Sequence, residues 1–519
     1  MASETTDPRL ASASAQRVLL IYPPAAVADG ALTGTNRPTI FPPLGLMSIA
    51  ASLQAAGHQV RILDARLSAK LAPFGLGRSL FGDRPADLAR QAESFKPDIV
   101  GISNNFQADT PIVRQLAAAL RARLGPTPIV VGGHAATAMA EELASDANID
   151  FVIKGEGEHK FGIAMDRPQV RSTAALGCAC PPKAGRITAE GDCATYKNAK
   201  IIDGSAQDCP YFIDDLDSLP FPAYDLVNME RYFALQRRGY SPRTREFGRR
   251  AVTLFTSRGC PWDCGFCSIH AVMGRRFRAH SPSYVLDHLR LLINRYEVDY
   301  VHFEDDNFTL DRSRFDAILT GLLHLPRAIR WDTPNGVRAD TLTRELVVTA
   351  RRAGCKYLAV GVESAVERIR NERIGKRLDL DSVRQVAGWC KQAGLELQAF
   401  FVFGYPGETV ADMEATRQLA VQLYQEYDVY PNVSVIVPLH GTRVWREASD
   451  LGYLVEQDGN LRITTEEFAP CDVDRIVIGL RRQILRSFVR KTLAHPVRAL
   501  ENLAVVLRNP RILRKFLPR

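Results

Sequence analysis

The feature that most constrains this chain is a short loop with three cysteines. Cys260, Cys264 and Cys267 stand at the spacing C-x3-C-x2-C within the segment CPWDCGFC. The apolar run 251–256 before them predicts a short buried strand. The loop after it is rich in Gly and Pro, so its three thiols can converge. Three thiolates without a fourth nearby ligand suit a cubane iron–sulfur cluster in which one iron keeps an open position.

The same cysteines also allow a zinc site. Structural zinc normally takes four protein ligands, and catalytic zinc takes three together with a water. His270 would be the fourth ligand here. The spacing, with the aromatic Phe266 directly before the last cysteine, favours the iron–sulfur cluster, and zinc stays as the alternative.

In these residues the chain resembles the radical S-adenosylmethionine (SAM) superfamily. The resemblance implies that Cys260, Cys264 and Cys267 hold a [4Fe–4S] cluster whose open iron chelates the amino and carboxylate groups of SAM. It implies that an electron splits SAM into methionine and a 5′-deoxyadenosyl radical. It also implies that Phe266 lies near the adenine.

The length and composition of the chain fit several soluble domains. Its 519 residues are 46% hydrophobic and 24% charged, and it lacks an apolar run of the roughly 18 residues that span a membrane. The polar start lacks the pattern of a signal peptide, so we expect a cytoplasmic protein. We predict a disordered tail at 1–16, a doubly wound domain at 17–165, a linker at 166–245, a barrel at 246–460 and basic helices at 461–519.

Residues 17–165 alternate short apolar runs with helical patterns. That rhythm predicts an open parallel sheet covered on both faces, with any ligand beyond the carboxyl ends of the strands. Glycines in the loops there would let the backbone approach a ligand closely. The candidate binding residues in these loops are Asn104, Gln107, Gly132, Gly133, His134, Thr137, Gly155, Glu156 and Gly157.

This region resembles the cobalamin-binding domain that precedes many radical SAM barrels. The resemblance rests on FPPLGL at 41–46, GGH at 132–134 and GEGE at 155–158, and it implies that the candidate residues contact cobalamin. The D-x-H-x-x-G motif that supplies a histidine to cobalt is absent, so it implies cobalamin without a histidine lower ligand. For His134, a turn residue bonded to its own loop is the alternative.

The linker contains four of the ten cysteines. Cys178, Cys180, Cys193 and Cys209 are a C-x-C pair followed by gaps of twelve and fifteen residues, a spacing that matches no familiar ligand set. We expect a loose insertion with scattered thiols, and a second metal site is the alternative. The segment 213–225 resembles the linker that enters the barrel in cobalamin-type radical SAM proteins.

From Ala251 onward, strand and helix patterns alternate in six repeats. They favour a partial (βα)6 barrel with its site at the carboxyl ends of the strands. Acids packed together at such an end are costly unless they meet a cation or donors, although an exposed turn or a helix cap at Asp311 is the alternative. The resemblance places the SAM ammonium group at the second strand end and its ribose or carboxylate at the fourth. The candidates are Glu304, Asp305, Asp306, Asn335, Arg338, Glu363 and Ser364.

The charge of the chain is uneven. Residues 475–519 carry twelve Lys and Arg against one acid, so the rest of the chain is slightly acidic within a net charge of +8. The main body therefore does not have the basic surface of a nucleic-acid enzyme. The C-terminal pattern predicts helices packed on the barrel, and peripheral contact with an anionic membrane is the alternative. We expect a monomer and an external electron donor such as flavodoxin or ferredoxin.

The resemblance implies a cobalamin-dependent radical SAM methyltransferase, similar to class B methylases. Such an enzyme moves a methyl group from SAM through methylcobalamin to an unactivated carbon of a small-molecule or lipid substrate. No side chain is obliged to act as an acid or base, so we predict no catalytic residue of that kind. The alternatives are cobalamin-assisted oxidation, cyclisation or rearrangement without methyl transfer, and a cobalamin- or SAM-sensing protein with a degenerate barrel.

Overall fold

The structure is a computed structural model that describes residues 15–28, 38–75, 78–166, 200–203, 212–240, 250–457 and 460–493. These residues form two compact units, one drawn mainly from 15–240 and the other mainly from 250–493. The four linker cysteines lie outside the described residues. Among the described residues, no helix is both long and apolar enough to cross a membrane.

The first unit is built on a six-stranded parallel sheet in the order β3-β1-β6-β7-β8-β9. Its strands are β1 (Arg17–Tyr22), β3 (Gln59–Asp64), β6 (Ile99–Ser103), β7 (Ile129–Gly132), β8 (Phe151–Ile153) and β9 (Ile201–Ile202). A small antiparallel sheet contains β2 (Ala25–Ala28), β5 (Arg78–Phe81) and β4 (Leu71–Gly75). The predicted doubly wound sheet is confirmed. The small sheet and β9 were not predicted.

Helices cover both faces of this first sheet. They are α1 (Leu44–Ala55), α2 (Pro85–Phe95), α3 (Thr110–Leu124), α4 (His134–Ala138), α5 (Ala140–Ala144), α6 (Lys160–Asp166) and α7 (Met229–Leu235). Leu19, Ile21 and Val100 pack with α2 and α3 on one face. On the other face, the ring of Phe161 and the side chain of Leu20 fill the space where Gly101 lacks a Cβ. Alternate strand residues thus point to opposite helical layers.

The second unit is a six-stranded parallel sheet in the order β10-β13-β14-β15-β16-β17. Its strands are β10 (Ala251–Leu254), β13 (Tyr300–Phe303), β14 (Arg330–Val337), β15 (Cys355–Glu363), β16 (Glu396–Phe403) and β17 (Tyr430–Val435). Sequential strands are neighbours throughout, as the predicted partial (βα)6 barrel requires. Two antiparallel pairs accompany the sheet, β11 (Ser257–Arg258) with β12 (Arg278–Ala279) and β18 (Leu454–Gln457) with β19 (Asn460–Ile463).

Most helices described after residue 250 begin at a residue whose side chain caps the helix. They are α8 (Ile269–Met273), α9 (Pro282–Tyr296), α10 (Arg312–Leu323), α11 (Arg344–Arg352), α12 (Leu380–Ala393), α13 (Val410–Tyr427), α14 (Arg443–Asp450) and α15 (Pro470–Leu493). Thr409 and Asp412 form a capping box at α13, and the Asp311 carboxylate accepts the Arg314 N–H at α10. Such caps satisfy backbone donors that a helix start leaves unpaired.

Opposite faces of β13 and β14 carry different chemistry. Phe303 and Trp331 pack with Phe315 of α10 in an aromatic cluster. On the other face, the Tyr300 hydroxyl donates to Asp332 Oδ2 at 2.8 Å, and His302 Nδ1 lies 2.7 Å from Asp332 Oδ1. The aromatic cluster ties the sheet to its outer helices, and the buried polar network fixes the inner face.

Candidate active site

The cysteine loop is held by two segments that are distant in sequence. Gly265 N donates to Ile374 O at 2.8 Å, and Val444 N donates to Gly265 O at 2.9 Å. The Arg443 guanidinium donates to the carbonyls of Asp263 and Ile374 at 3.2 and 3.0 Å. Gly375, at φ 83°, lies so close to the loop that a Cβ there would sit 2.6 Å from Asp263 O. The loop shape is therefore set by tertiary hydrogen bonds as well as by its own sequence.

The three cysteines are half-buried free thiols that interact electrostatically with one another. Burial raises the pKa of each thiol, that of Cys267 to about 12. Hydrogen bonds from backbone N–H groups lower these pKa values in part: the Trp262 N–H donates to the Cys260 sulfur and the Ile269 N–H donates to the Cys267 sulfur. A metal that binds these sulfurs would favour the thiolate outright, and N–H donors to the sulfurs are a usual feature of iron–sulfur sites.

The geometry disfavours the zinc alternative. Within the described ranges, no three His, Cys, Asp or Glu side chains are arranged around a single metal ion. His270 Nε2 lies 3.1 Å from the Cys260 carbonyl oxygen, so its ring is engaged with the loop backbone. In a cubane cluster each cysteine binds a different iron atom, so the sulfurs can stand further apart. The donor set fits a [4Fe–4S] cluster.

A buried ion pair lies beside the cysteines at the end of β15. Lys376 Nζ is 2.9 Å from Glu363 Oε1, with only 12% and 5% of the two side chains exposed. Burial lowers the pKa of Lys376, but Glu363 and Cys264 outweigh it and the pKa is raised. Glu363 adopts a left-handed φ of 68°, a strained conformation that is often found at functional sites. Lys376 was not a predicted site residue, because it follows the strand end by thirteen positions.

Two acids of the predicted acidic turn, Asp305 and Asp306, have different roles. Asp305 is 1% exposed and accepts hydrogen bonds from the Thr256 backbone at 3.1 Å and the Thr256 hydroxyl at 2.8 Å, and from the Ser257 hydroxyl. Burial and the neighbouring Asp305 raise the pKa of Asp306 to about 7, and Asp306 interacts electrostatically with Cys260 and Cys267. Asp305 therefore ties β10 to β13, and Asp306 is the acid that lies near the thiols.

Three other predicted contacts are engaged with the protein. Arg338 donates to both carboxylate oxygens of Asp340 at 2.9 and 2.6 Å, and its guanidinium stacks 3.7 Å from the Trp262 ring centroid. The Ser364 hydroxyl lies 3.1 Å from that of Thr416. Asn335 lies within β14, not after it, and donates to the Glu304 carbonyl at 2.5 Å. These contacts support the strand ends, and SAM binding by these residues and by Phe266 stays a prediction.

The loop after β16 closes around a buried acid. Glu408 is fully buried, and its Oε2 accepts the N–H groups of Gly404 and Tyr405 at 2.8 and 3.1 Å. Burial raises the pKa of Glu408 to about 8 even though these hydrogen bonds lower it. The carboxyl group holds Tyr405 in place behind the cysteine loop, a role the sequence did not reveal.

In the first unit, protein groups occupy the carboxyl ends of β1 and β3. Arg66 donates to Asp109 Oδ2 at 2.9 Å and to the Tyr22 hydroxyl at 3.2 Å. The Tyr232 hydroxyl donates to Asp64 Oδ2 at 2.6 Å. This network leaves the ends of β6, β7 and β8 for a ligand, where the predicted residues lie.

The loops after β6 and β7 touch one another. Gly133 has φ 115°, and a Cβ there would lie 2.5 Å from Asn105 Oδ1 and 2.8 Å from Asn104 O. Asn104 is fully buried, and its side-chain Oδ1 has no hydrogen-bond partner in the part of the chain the structure describes. A Cβ on Gly132 would make ordinary van der Waals contact with Ile153 at 3.6 Å, whereas a Cβ on Gly157 would overlap the side chain of Ile49 at 2.8 Å.

Further bonds brace this edge of the sheet. The Thr137 hydroxyl donates to Gly133 O at 3.0 Å and accepts the Gly155 N–H at 2.9 Å. Glu156 Oε2 accepts the Ile213 N–H at 2.6 Å. His134 is exposed and Phe106 is 57% exposed, whereas Gln107 is half-buried. Hydrogen bonds therefore fix the backbone at this edge of the sheet. The exposed ring of Phe106 also lies there, and it was not predicted as a binding residue.

A six-stranded βα barrel with a three-cysteine loop at its first strand, joined to a doubly wound unit, defines the class of this protein. The B12 binding domain family matches residues 30–164, and the Radical SAM superfamily matches residues 254–420. The chain belongs to the B12-binding radical SAM enzymes, whose cofactors are a [4Fe–4S] cluster, SAM and cobalamin. The predicted family and cofactors are confirmed.

Relatives agree with this assignment, and a solved structure shares the fold. The chain is 27% identical to cytidylyl-2-hydroxyethylphosphonate methyltransferase of Streptomyces wedmorensis, over 87% of this chain and 85% of the relative. It is 26% identical to hopanoid C-3 methylase of Methylococcus capsulatus, over 85% and 73%. The structure of the radical SAM methyltransferase TsrM of Kitasatospora setae, with cobalamin and a [4Fe–4S] cluster bound, matches with a TM-score of 0.63 at 16% identity, over 91% and 89%.

We expect each of Cys260→Ala, Cys264→Ala and Cys267→Ala to lose most of the bound iron and sulfide, because each removes one ligand of the cluster. The measurement is iron and acid-labile sulfide content after anaerobic reconstitution. Cys471→Ala removes an exposed thiol and should match the wild type. A variant of the three that kept wild-type iron content would show that its cysteine is not a ligand.

Glu408→Gln should flatten the pH dependence of stability. The pKa of Glu408 is raised from 4.5 to about 8 on folding, so its stabilising contribution is complete below about pH 4.5 and is lost as pH rises through 8. Between pH 6 and 9 the wild type should lose about 3 kcal/mol through this residue. Thermal unfolding midpoints at both pH values measure the effect. Equal losses in both proteins would contradict the burial argument.

Proposed function

We propose that this chain is a methyltransferase that depends on SAM and cobalamin and methylates an unactivated carbon of a small-molecule or lipid substrate. The observation that carries the proposal is the cysteine loop at the barrel mouth and the hydrogen bonds that hold it. Several relatives of the chain are named as methyltransferases or methylases, and three others are named as cyclases. When bound, the reduced cluster would supply the electron that cleaves SAM, and cobalamin would carry the methyl group.

The side chains around the cysteine loop have defined tasks under this proposal. Cys260, Cys264 and Cys267 would hold the cluster, and Lys376 would offset negative charge next to Cys264. Asp306, with Glu304, would hold the SAM ammonium group, and Glu363 would orient Lys376 at 2.9 Å. These residues bind, orient and balance charge, so none of them needs to transfer a proton.

In the first unit, the ends of β6, β7 and β8 would bind cobalamin. Gly132 and Gly155 carry no side chain and would let the cofactor lie close to the backbone. Asn104 would offer its buried amide oxygen. We propose that no histidine of this chain is the lower ligand, because the sequence lacks the D-x-H-x-x-G motif. An external one-electron donor of the flavodoxin or ferredoxin type would reduce the cluster.

The proposal is tested with CD3-labelled SAM, hydroxocobalamin and a low-potential reductant added to the reconstituted protein. Mass spectrometry should detect both 5′-deoxyadenosine and S-adenosylhomocysteine, with the label in the cobalamin fraction. Cys264→Ala should abolish deoxyadenosine.

The other outcomes separate the alternatives. Deoxyadenosine without S-adenosylhomocysteine or label transfer would favour oxidation, cyclisation or rearrangement. Neither product, from protein with a complete iron content, would favour a sensing role.

We propose in addition that α15 contacts an anionic membrane surface. Arg482, Arg486 and Arg490 form an exposed stripe along this helix and make no ion pair with any described residue. Val489 and Leu493, at 44% and 76% exposure, lie beside them. Basic residues next to exposed apolar groups favour adsorption on anionic lipid.

The triple variant R482Q/R486Q/R490Q should lose most binding to phosphatidylglycerol vesicles in a co-sedimentation assay at low salt. Phosphatidylcholine vesicles should bind neither protein. A matched triple variant, R290Q/R384Q/R351Q on other barrel helices, should bind as the wild type does. Equal binding by both triple variants would contradict a specific role for α15.

A further inference from the structure

Tyr405 presents a buried hydroxyl group to the back of the cysteine loop. Its side chain is fully buried, and its hydroxyl has no hydrogen-bond partner among the described residues. Leaving such a buried donor unpaired is costly, because its desolvation is not offset by a hydrogen bond. A native structure keeps an unpaired buried donor only where something else accepts its proton or compensates the cost.

Arg443 reaches the same place from α14. Its Nη2 donates to the carbonyls of Asp263 and Ile374, whereas its Nε is buried without a partner among the described residues. The guanidinium cannot lose its charge in a protein. A fixed positive charge with one unused N–H therefore lies directly behind the loop.

Both groups converge on Gly265, the residue after Cys264. A Cβ on Gly265 would overlap the Tyr405 hydroxyl oxygen and would lie 2.8 and 2.9 Å from Arg443 Nη2 and Nε. Only a residue without a side chain admits them so close to the backbone. The hydroxyl also interacts electrostatically with Cys264.

The remaining surroundings keep Tyr405 a neutral donor. Burial raises the pKa of Tyr405 to about 12, and Arg443 lowers it in part. The Glu408 carboxylate accepts the Tyr405 backbone N–H at 3.1 Å, which fixes the backbone at this position. The neutral hydroxyl group thus lies against Gly265, the residue that follows Cys264.

We propose that Tyr405 and Arg443 are positioning residues that raise the reduction potential of the cluster, Tyr405 by the dipole of its unpaired hydroxyl group and Arg443 by its charge. The inference rests on the proposed function, because it requires a cluster on the three cysteines. One-electron reduction adds negative charge to the cluster, and donors and cations stabilise that added charge.

Tyr405→Phe keeps the ring and removes only the hydroxyl. We expect the variant to bind as much iron as the wild type and to have a more negative midpoint potential, with the equilibrium constant for reduction about tenfold lower, or about 59 mV. The measurement is a potentiometric titration of the reconstituted cluster followed by electron paramagnetic resonance, without SAM. Tyr424→Phe, which changes a buried tyrosine of α13, should leave the potential unchanged.

Each other outcome has a distinct meaning. A wild-type protein without a reducible cluster would refute the proposed function itself. A complete cluster with an unchanged potential in Tyr405→Phe, or a variant that cannot hold the cluster, would overturn the tuning role. A shift that appears only when SAM is added would assign the hydroxyl to SAM and would also overturn it.

Discussion

The backbone of the cysteine loop is clamped by segments more than a hundred residues further along the chain, and the site depends on that clamp. Gly265 bonds through its N–H to Ile374 and through its carbonyl to Val444. Arg443 bonds the carbonyls of Asp263 and Ile374. Three cysteines on an unsupported loop of Gly and Pro would sample many arrangements. The fourth and sixth βα units remove that freedom.

Electrostatic balance is the second requirement of the site. Burial disfavours charge on each thiol, and the acids at the strand ends add more negative charge. Lys376 and Arg443 bring positive charge to the loop. Glu363 forms an ion pair with Lys376 and so partly neutralises the positive charge of that residue. In a medium of low dielectric constant such neighbours have larger effects than they would in water. The charges around the loop therefore act together as a set.

Much of this architecture could be predicted from the sequence. The periodicity of 17–165 and of the region after Ala251 predicted both parallel sheets and most of the helices, because buried parallel strands are continuous apolar runs. The cysteine spacing predicted the cluster. Short elements such as β9 and β2-β5-β4 were not predicted. The residues that only tertiary structure brings to the site were also missed, above all Lys376, Tyr405 and Arg443.

Other differences come from partners that a sequence does not show. An acidic turn is compatible with a bound cation, but it does not reveal that Asp305 is already saturated by Thr256 and Ser257. Likewise, the close approach of Asn104 and Asn105 is sufficient reason for Gly133 to lack a side chain. In a sequence, a glycine at a strand end indicates a crowded backbone and an acid there indicates a polar environment. Only the structure shows which neighbouring residues crowd the glycine or bind the acid.

Gly361 lies two residues before Glu363 on β15. A Cβ on Gly361 would overlap both the Lys376 ammonium and the Glu363 carboxylate. A methyl group there would have to expel the ammonium from its buried position. Three positions along the chain, 361, 363 and 376, thus share a single small volume. A side chain at position 361 therefore requires that both the ammonium and the carboxylate move, so a change at one of the three positions has to be accommodated at the other two.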